Sequence, residues 1–503
     1  MTHNLLRISF ISYCILLAIT LWRHEMWRDE LEAWNIAVAS SSITNLFDNF
    51  RYEGHPALWF IVLWVISKIS IEPEMMQVIN FLFAAITAGI ILFKSPFSKA
   101  QRVLLIFGYY FLYEYAAISR NYMIEIMMAV LICALWKNSN SHRGWLILLL
   151  FLICQTNAFG YLLSFAFAIS LFQREVSKSK NSIFYAVNYI IAAVAGFCVS
   201  YLSSALPEDS ELQNYFVFSW DKNRLVQVLT NFWNGLIPIP RLHLPFWSEP
   251  MLHPSITGAV LGSVLLFAIV VLSLRNKKLL ISFLIPAIFA MLVLMYSAYP
   301  GFQRHHGHLF IALVCFLWLH KSSMLRQVVT RVSFPVLNYL FNCLLILQAI
   351  VGIGFMLTDW LLPFSQGKAT AAFIRKNYRN EVVAGQTDCP MTSVAGYLSR
   401  DVYFLNNLRH ASFVIYRAGR SNVEDSTLFR NIFTLADSTS LMLVLNFDLM
   451  HNGQSFLPEK GRDTSLIVNT INGAKTFSIS NKARFDGSMV GGEDFTVYRV
   501  KSE

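Results

Sequence analysis

The sequence predicts a mainly α fold, a polytopic transmembrane helical bundle of about 11–13 spans, with a C-terminal extramembrane α/β domain. Three observations carry this. The 503-residue chain is 55% apolar and 15% aromatic but only 14% charged, which is too apolar for a soluble globular protein. Its apolar residues gather into runs near the roughly 20 residues that cross a bilayer. The pattern then stops near Phe364, where short β-rich runs separated by polar pieces take over.

The spanning runs, in order, are Leu5–Trp22, Met75–Phe93, Val103–Ile118, Tyr122–Trp136, Ile183–Leu206, Ile256–Leu274, Leu279–Ala298, Leu309–His320 and Phe334–Leu357. Arg7 precedes the first run, but no small-residue cleavage site follows near Trp22, so this run reads as a retained helix. Trp145–Phe172 is too long for one span and is broken by Gln155-Thr-Asn157, which predicts a hairpin of two short helices. Leu58–Ile71 is short and interrupted by Ser67 and Lys68, so whether it crosses stays open. Basic loops at 94–102, 137–143, 173–182, 275–278 and 321–331 account for the net charge of +10 as a cytoplasmic excess of Lys and Arg, with no nucleic-acid role. Parity then places 23–55, 119–121, 207–255, 299–308 and everything after 358 outside, in a cell inner membrane. Beyond the spans, Val382–Ala384, Val402–Leu405, Ser412–Tyr416, Leu441–Leu445 and Phe495–Val500 read as strands. Of seven cysteines, Cys389 is the one in the polar tail. No disulfide framework is implied, and Cys389 is expected to label readily from outside.

No phosphate-binding glycine loop, CxxC or HExxH occurs, so a nucleotide-dependent soluble active site is unsupported. The chemistry-bearing residues instead fall on one face: Asp29, Glu30, Arg51, Glu53 and His55; Glu114, Arg120 and Tyr122; His243 and His253; and Arg304, His305, His306 and His308. Charged groups so close to hydrocarbon are costly and point to function. A carboxylate can act as general base on an acceptor or hold a divalent cation. Arginine and histidine at the same surface can bind the phosphate of a lipid whose tail lies in the bilayer. A polyprenyl phosphate is a good leaving group that needs mainly positioning and neutralisation. Together these describe sugar transfer from a lipid-phosphate donor. Asp29 and Glu30 point about 100° apart on a helix, so one of them suffices for catalysis. Capping or a solvated face is the plainer reading of Glu30 and Glu32, and structural or interfacial anchoring that of the histidines.

The order of these motifs matters. An apolar helix is followed by Asp29-Glu30 in a Trp-flanked segment, Arg51-Tyr-Glu-Gly-His-Pro56, Ser119-Arg-Asn-Tyr122 and Pro300-Gly-Phe-Gln-Arg-His305. This resembles the GT-C superfamily of polytopic glycosyltransferases, in particular the protein O-mannosyltransferases and lipid A aminoarabinose transferases. The resemblance covers about residues 1–360 and is strongest over 20–125. It implies a catalytic domain over 1–360, with its first outer loop at 23–56, and an outer-face α/β domain over 361–503. It also implies Asp29 as catalytic base and Glu53 as a second catalytic acid beside the donor phosphate. Glu30, Arg51, His55, Arg120, Tyr122, Arg304, His305 and His308 are then substrate-binding. A divalent cation, if any is used, would sit among Asp29, Glu53 and His55. Partners would be a polyprenyl-phosphate sugar, membrane lipids, and a glycolipid, glycan or protein acceptor. Two departures stand out. Pro-Pro is replaced by Pro56-Ala57, and the acidic residue of the second outer loop is replaced by Arg120 or Asn121 unless Glu114 or Glu125 substitutes.

The competing readings are a flippase for a lipid-linked glycan and a non-catalytic membrane assembly subunit. A transporter places ionisable pairs near mid-span in broken or repeated helices. Here the acids gather at a helix-end loop, and no repeat is visible.

Overall fold

The computed structural model describes residues 2–178, 182–213, 219–324, 335–420, 423–451, 454–455, 457–459, 461–470 and 473–503. Lys180 of the third basic loop and 325–331 of the fifth lie outside them.

The chain enters through α1 (Thr2–Arg23) and turns into α2 (Arg28–Ala39), with Asp29 and Glu30 in its first turn, where carboxylates suit the helix dipole. α3 (Ile43–Phe50) is capped by Ser42, whose hydroxyl accepts from Asn45 N at 3.1 Å. α4 (Leu58–Ser67) is ten residues long, about 15 Å and half the hydrocarbon thickness. Its first residue is tied to the tip of the α8–α9 hairpin (α8 Arg143–Ile153, α9 Ala158–Lys178) and its last turn to the end of α2. Leu58 N donates to Gln155 O at 3.2 Å, while Trp64 Nε1 and Lys68 Nζ reach Ser40 O at 3.0 and 2.8 Å. Leu58–Ile71 is therefore a re-entrant cover, and the crossing falls to α5 (Glu74–Lys94) alone.

Next come α6 (Lys99–Ile106), a wide turn over Tyr110–Glu114, and α7 (Tyr122–Leu135), so Val103–Ile118 is broken where one helix was expected. The break leaves Tyr115 O and Ala116 O outside a helical ladder, and Asn80 of α5 donates to both at 3.1 and 2.9 Å. α8 (Arg143–Ile153) and α9 (Ala158–Lys178) form the expected hairpin. Ser164 Oγ donates to Leu150 O at 2.7 Å, which a continuous helix would hold some 20 Å apart.

The remaining bundle is α10 (Ile183–Ser204), α11 (Lys222–Leu236), α12 (Ile256–Ser273), α13 (Lys277–Leu279), α14 (Ile285–Ser297), α15 (Gln303–Met324) and α16 (Pro335–Leu361). Among the described residues six helices are long and apolar enough to cross a membrane, and α4 and α8 are shorter apolar helices. The protein is a multi-pass membrane protein. Exposed Ile, Leu, Val and Phe along α1, α5, α10, α12 and α14 form its lipid-facing belt.

After α16 come α17 (Gly367–Asn377), β1 (Val382–Gln386), α18 (Asp388–Leu398), β2 (Val402–Phe404), β3 (Arg409–Ala411), α19 (Asp425–Ser438), β4 (Leu441–Leu445), β5 (Met450–His451), β6 (Gln454–Ser455), β7 (Asp463–Thr470), β8 (Gly473–Phe485) and β9 (Phe495–Ser502). Seven strands form one sheet in the order β3-β2-β1-β4-β9-β8-β7. β1 runs parallel to β2 and β4, and the other neighbours are antiparallel. The long β7–β8 hairpin was not anticipated. The expected strand Ser412–Tyr416 is an extended segment whose backbone groups are used elsewhere. Ser412 O accepts from Asn35 Nδ2 at 2.7 Å, Val414 N donates to Glu32 Oε1 at 2.8 Å, and Tyr416 O accepts from Glu211 N at 3.0 Å.

One apolar core runs through the bundle. A second is shared between the loop layer and the C-terminal unit, with Leu31, Trp34, Phe50 and Phe60 packing among Ile374, Met391, Val394 and Val497. A third lies between the opposite sheet face and α19.

Candidate active site

α2 presents Asp29 at the mouth of the bundle, with its side chain 26% exposed. Its Oδ2 is held by Arg120, from the short loop between the wide turn and α7, and by Arg304 Nη2 of α15 at 3.3 Å. Burial pushes the Asp29 carboxyl up, but Arg120, Arg304 and Arg28 together hold it below the usual carboxylate range. Arg304 lies over the rings of Phe302, Trp247 and Trp27 at 4.7, 5.6 and 5.7 Å, so its orientation is fixed by stacking. Its Nε is enclosed and has no acceptor. A buried guanidinium N–H without an acceptor is costly and marks a place for an anion.

Glu53 stands close enough to feel Arg120, Asp29 and Arg420. Burial, aided by Asp29 and opposed by the two arginines, raises its carboxyl to about 8. At neutral pH Glu53 is protonated and can donate a hydrogen bond. Its Oε1 is enclosed without a partner. His55 is pushed down to about 4 by burial and Arg120, so it is a neutral imidazole.

Other expected contacts differ. Glu30 is fully buried. Its Oε1 accepts from Ser119 N at 2.6 Å, and its Oε2 meets His24 Nε2 at 3.1 Å and Trp27 N at 3.3 Å. Glu30 thus splices the Arg120 loop to α2. His24 also meets Asp359 Oδ2 at 2.8 Å. His308 is likewise enclosed, with Nε2 3.0 Å from Glu125 Oε2 and Nδ1 3.0 Å from His305 O. Asn157 in turn donates to Glu125 at 2.5 Å. Glu114 accepts from Tyr109 at 2.5 Å and from Trp247 Nε1 at 3.1 Å. Glu114 and Glu125 are thus both held in buried hydrogen-bond networks, Glu114 within reach of the charges of Arg304 and Arg120. Arg51 is exposed and lies over Tyr52 at 5.8 Å, outside the Asp29 cluster. His305 and Tyr122 form the wall next to Arg120, with Tyr122 OH 3.1 Å from His305 Nε2 and the Arg120 guanidinium 5.7 Å from the Tyr122 ring.

Reasoning from sequence did not single out Arg28 and Glu493, which bridge α2 to the C-terminal unit at 3.4 Å. It also missed Arg420, which binds Asp388 and Glu211. Arg28 sits in the Trp-Arg-Asp-Glu string and was visible there, whereas nothing local distinguishes Arg420.

Among the described residues no three His, Cys, Asp or Glu side chains converge as cation ligands, and Asp29 is already paired with two guanidiniums.

No protein-family model matches the chain, and no curated protein sequence does. Its structure is similar to that of ArnT from Cupriavidus metallidurans bound to undecaprenyl phosphate. The TM-score is 0.52 at 11% identity, over 88% of this chain and 93% of that one. The fold is ArnT-like. The superposition takes in most of both chains, so the shared fold extends past the bundle into the sheet unit after α16. Within it, α1, α2 and the 119–121 loop bring Asp29 and Arg120 together from residues far apart in sequence.

Proposed function

We propose that this chain is a membrane glycosyltransferase that moves a sugar from a polyprenyl-phosphate donor to an acceptor at the outer face of a cytoplasmic membrane. Residues 1–360 would form its catalytic domain and 361–503 an outer-face domain. The observation that carries this reading is the Asp29–Arg120–Arg304 cluster with the acceptor-less Arg304 Nε, set at the bundle mouth of an ArnT-like fold. The likeness to a protein bound to undecaprenyl phosphate suggests the same donor class here.

In this reading the donor phosphate displaces the Asp29 carboxylate from Arg120 and Arg304, and protonated Glu53 donates to a phosphate oxygen. Freed of its arginines, Asp29 becomes a stronger base and takes the proton from the acceptor hydroxyl or amine. The acceptor attacks the anomeric carbon, and the bond from that carbon to the phosphate oxygen breaks. The electron pair stays on the phosphate, where the two guanidiniums hold the extra charge. His305, Tyr122 and Arg51 would line the sugar and acceptor side.

The test is transfer of radiolabelled sugar in membranes containing the full chain, across a panel of polyprenyl-phosphate sugars. Label moving to an acceptor, and much reduced at low donor concentration with Arg304→Ala, is expected. No transfer from any donor by folded protein sinks the proposal.

A further inference from the structure

Four helix segments that meet near Asp29 also meet at their other ends. α7 runs from Tyr122 to Leu135 and is followed by Trp136. α9 runs from the neighbourhood of Phe159, stacked on His308 at 4.5 Å, to Lys178, and α15 runs from Arg304 past His320. The α13–α14 segment descends from Ser297 to Lys277. Arg304 and His320 are roughly 24 Å apart along one helix, so this second meeting point lies at the far end of the bundle.

A cavity of about 350 Å³ opens there between the four segments. Lys137, Arg174 and Lys278 stand around it, and its polar lining is otherwise serine, Asn276, Gln173 and His320. No Asp or Glu among the described residues lines it. The neighbouring acid, Glu175, bonds Ser139 at 2.8 Å and Lys178 at 2.5 Å and also offsets part of the charge of Arg174. Arg174 is pre-positioned, with Nη2 donating to Lys137 O at 3.0 Å and its guanidinium 5.1 Å from the Trp136 ring. Deep in the pocket Ser282 Oγ donates to Ser170 Oγ at 3.3 Å. Three cations and several hydroxyl and amide donors facing one cavity complement a phosphate, and neither a cation nor an apolar ligand suits them.

The flanks of this cavity are apolar. Ile281 of the α13–α14 segment is 62% exposed, and Leu274 in the turn just before that segment is 44% exposed, so chains attached to a bound phosphate could run down that side into the bilayer. We propose that this pocket binds the phosphate headgroup of an anionic membrane phospholipid, at a site separate from the Asp29 cluster and independent of the transferase reading. The shared chemistry is a phosphate, and the lipid-facing flank selects a lipid over free phosphate.

The test uses the full chain in detergent and native mass spectrometry with phosphatidylglycerol, phosphatidylcholine and inorganic phosphate. Lys137→Gln with Lys278→Gln removes two exposed charges without touching Arg174 or the Asp29 cluster. Lys222→Gln with Lys376→Gln removes the same charge elsewhere. Wild type and the second pair are expected to retain phosphatidylglycerol over phosphatidylcholine. The first pair should retain about 30-fold less, roughly fivefold per cation, and Lys137→Arg with Lys278→Arg should restore it. Equal retention of the two lipids, or no change in the first pair, overturns the proposal. Release of phosphatidylglycerol by equimolar inorganic phosphate assigns the pocket to a soluble phosphate and also overturns it.

Discussion

Asp29 is an ionised carboxylate neutralised by two arginines, which is a poor resting state for a base and a good one for a switch. It can take a proton only when something anionic takes its place. Asp29→Asn should keep the protein folded and reduce sugar transfer by roughly 10²- to 10⁴-fold, the usual contribution of a general base. Near-wild-type transfer by Asp29→Asn would remove Asp29 from that role. Glu30→Gln is the contrasting variant. Replacing a buried carboxylate that joins His24, Ser119 and Trp27 should lose folded protein, not turnover per folded molecule. Glu53 adds a pH dependence. Below about 8 it is neutral. Above that it ionises beside Asp29, with buried Glu32 also nearby and pushed well up by burial and by Glu53 itself. A second negative charge there opposes a phosphate, although Arg120 and Arg420 partly offset it. The donor KM should rise roughly threefold to tenfold above pH 8, and Glu53→Gln should abolish that rise. A flat KM in the wild type between pH 7 and 9 would contradict this account.

At the scale of elements, α4 decides the topology. It is too short to span, and Lys68 and Trp64 tie its far end to Ser40, so 55–94 crosses once. Cysteines introduced as Ser41→Cys and Ser70→Cys should label from the same side of intact cells, and Ser98→Cys should be protected on that side. Labelling of Ser41→Cys and Ser70→Cys from opposite sides would make α4 a span. Cys389 is no use as the reporter, contrary to expectation, because burial and Asp388 push its thiol up to about 12 and so suppress the reactive thiolate. Much of this was legible in the sequence. Apolar run length fixed the long helices, Gln155-Thr-Asn157 marked the hairpin, and short β-rich runs marked β1, β2, β4 and β9. Of the site, Asp29, Arg120 and Arg304 were legible because each sits in a short polar string between apolar runs. The enclosure of Glu30 and His308 was not legible, because sequence shows a polar group near a surface but not whether the fold covers it. Ser412–Tyr416 misled for a related reason. Its β propensity is real, but its hydrogen bonds go to α2 side chains and to the 207–213 loop.

At the scale of the whole molecule, the C-terminal unit holds α2 in place and brings Glu493, Arg420, Val414 and Tyr416 to the site's surroundings. Tyr397 OH accepts from Met26 N at 2.7 Å, and Asn35 Nδ2 donates to Thr392 O at 3.0 Å. Leu31 and Trp34 pack in the core shared with α18. At Gly396 a Cβ would stand 2.9 Å from Asn35 Oδ1, 3.0 Å from Leu31 Cδ2 and 3.2 Å from Leu31 Cβ, so the larger branched side chain of valine there crowds α2. Arg304 is carried by α15, which no Glu30 contact ties to α2, and would stay where it is. Gly396→Val should therefore separate Asp29, the proposed base, from Arg304. Turnover should fall by one to two orders of magnitude, the scale of a misplacement near 1 Å, while donor KM changes little. Arg304→Ala should do the reverse, raising donor KM more than it lowers kcat. Steady-state kinetics of the two variants in the same membranes would separate the roles. If Gly396→Val folds and either leaves kcat intact or weakens donor binding as much as turnover, the C-terminal unit does not act by positioning α2.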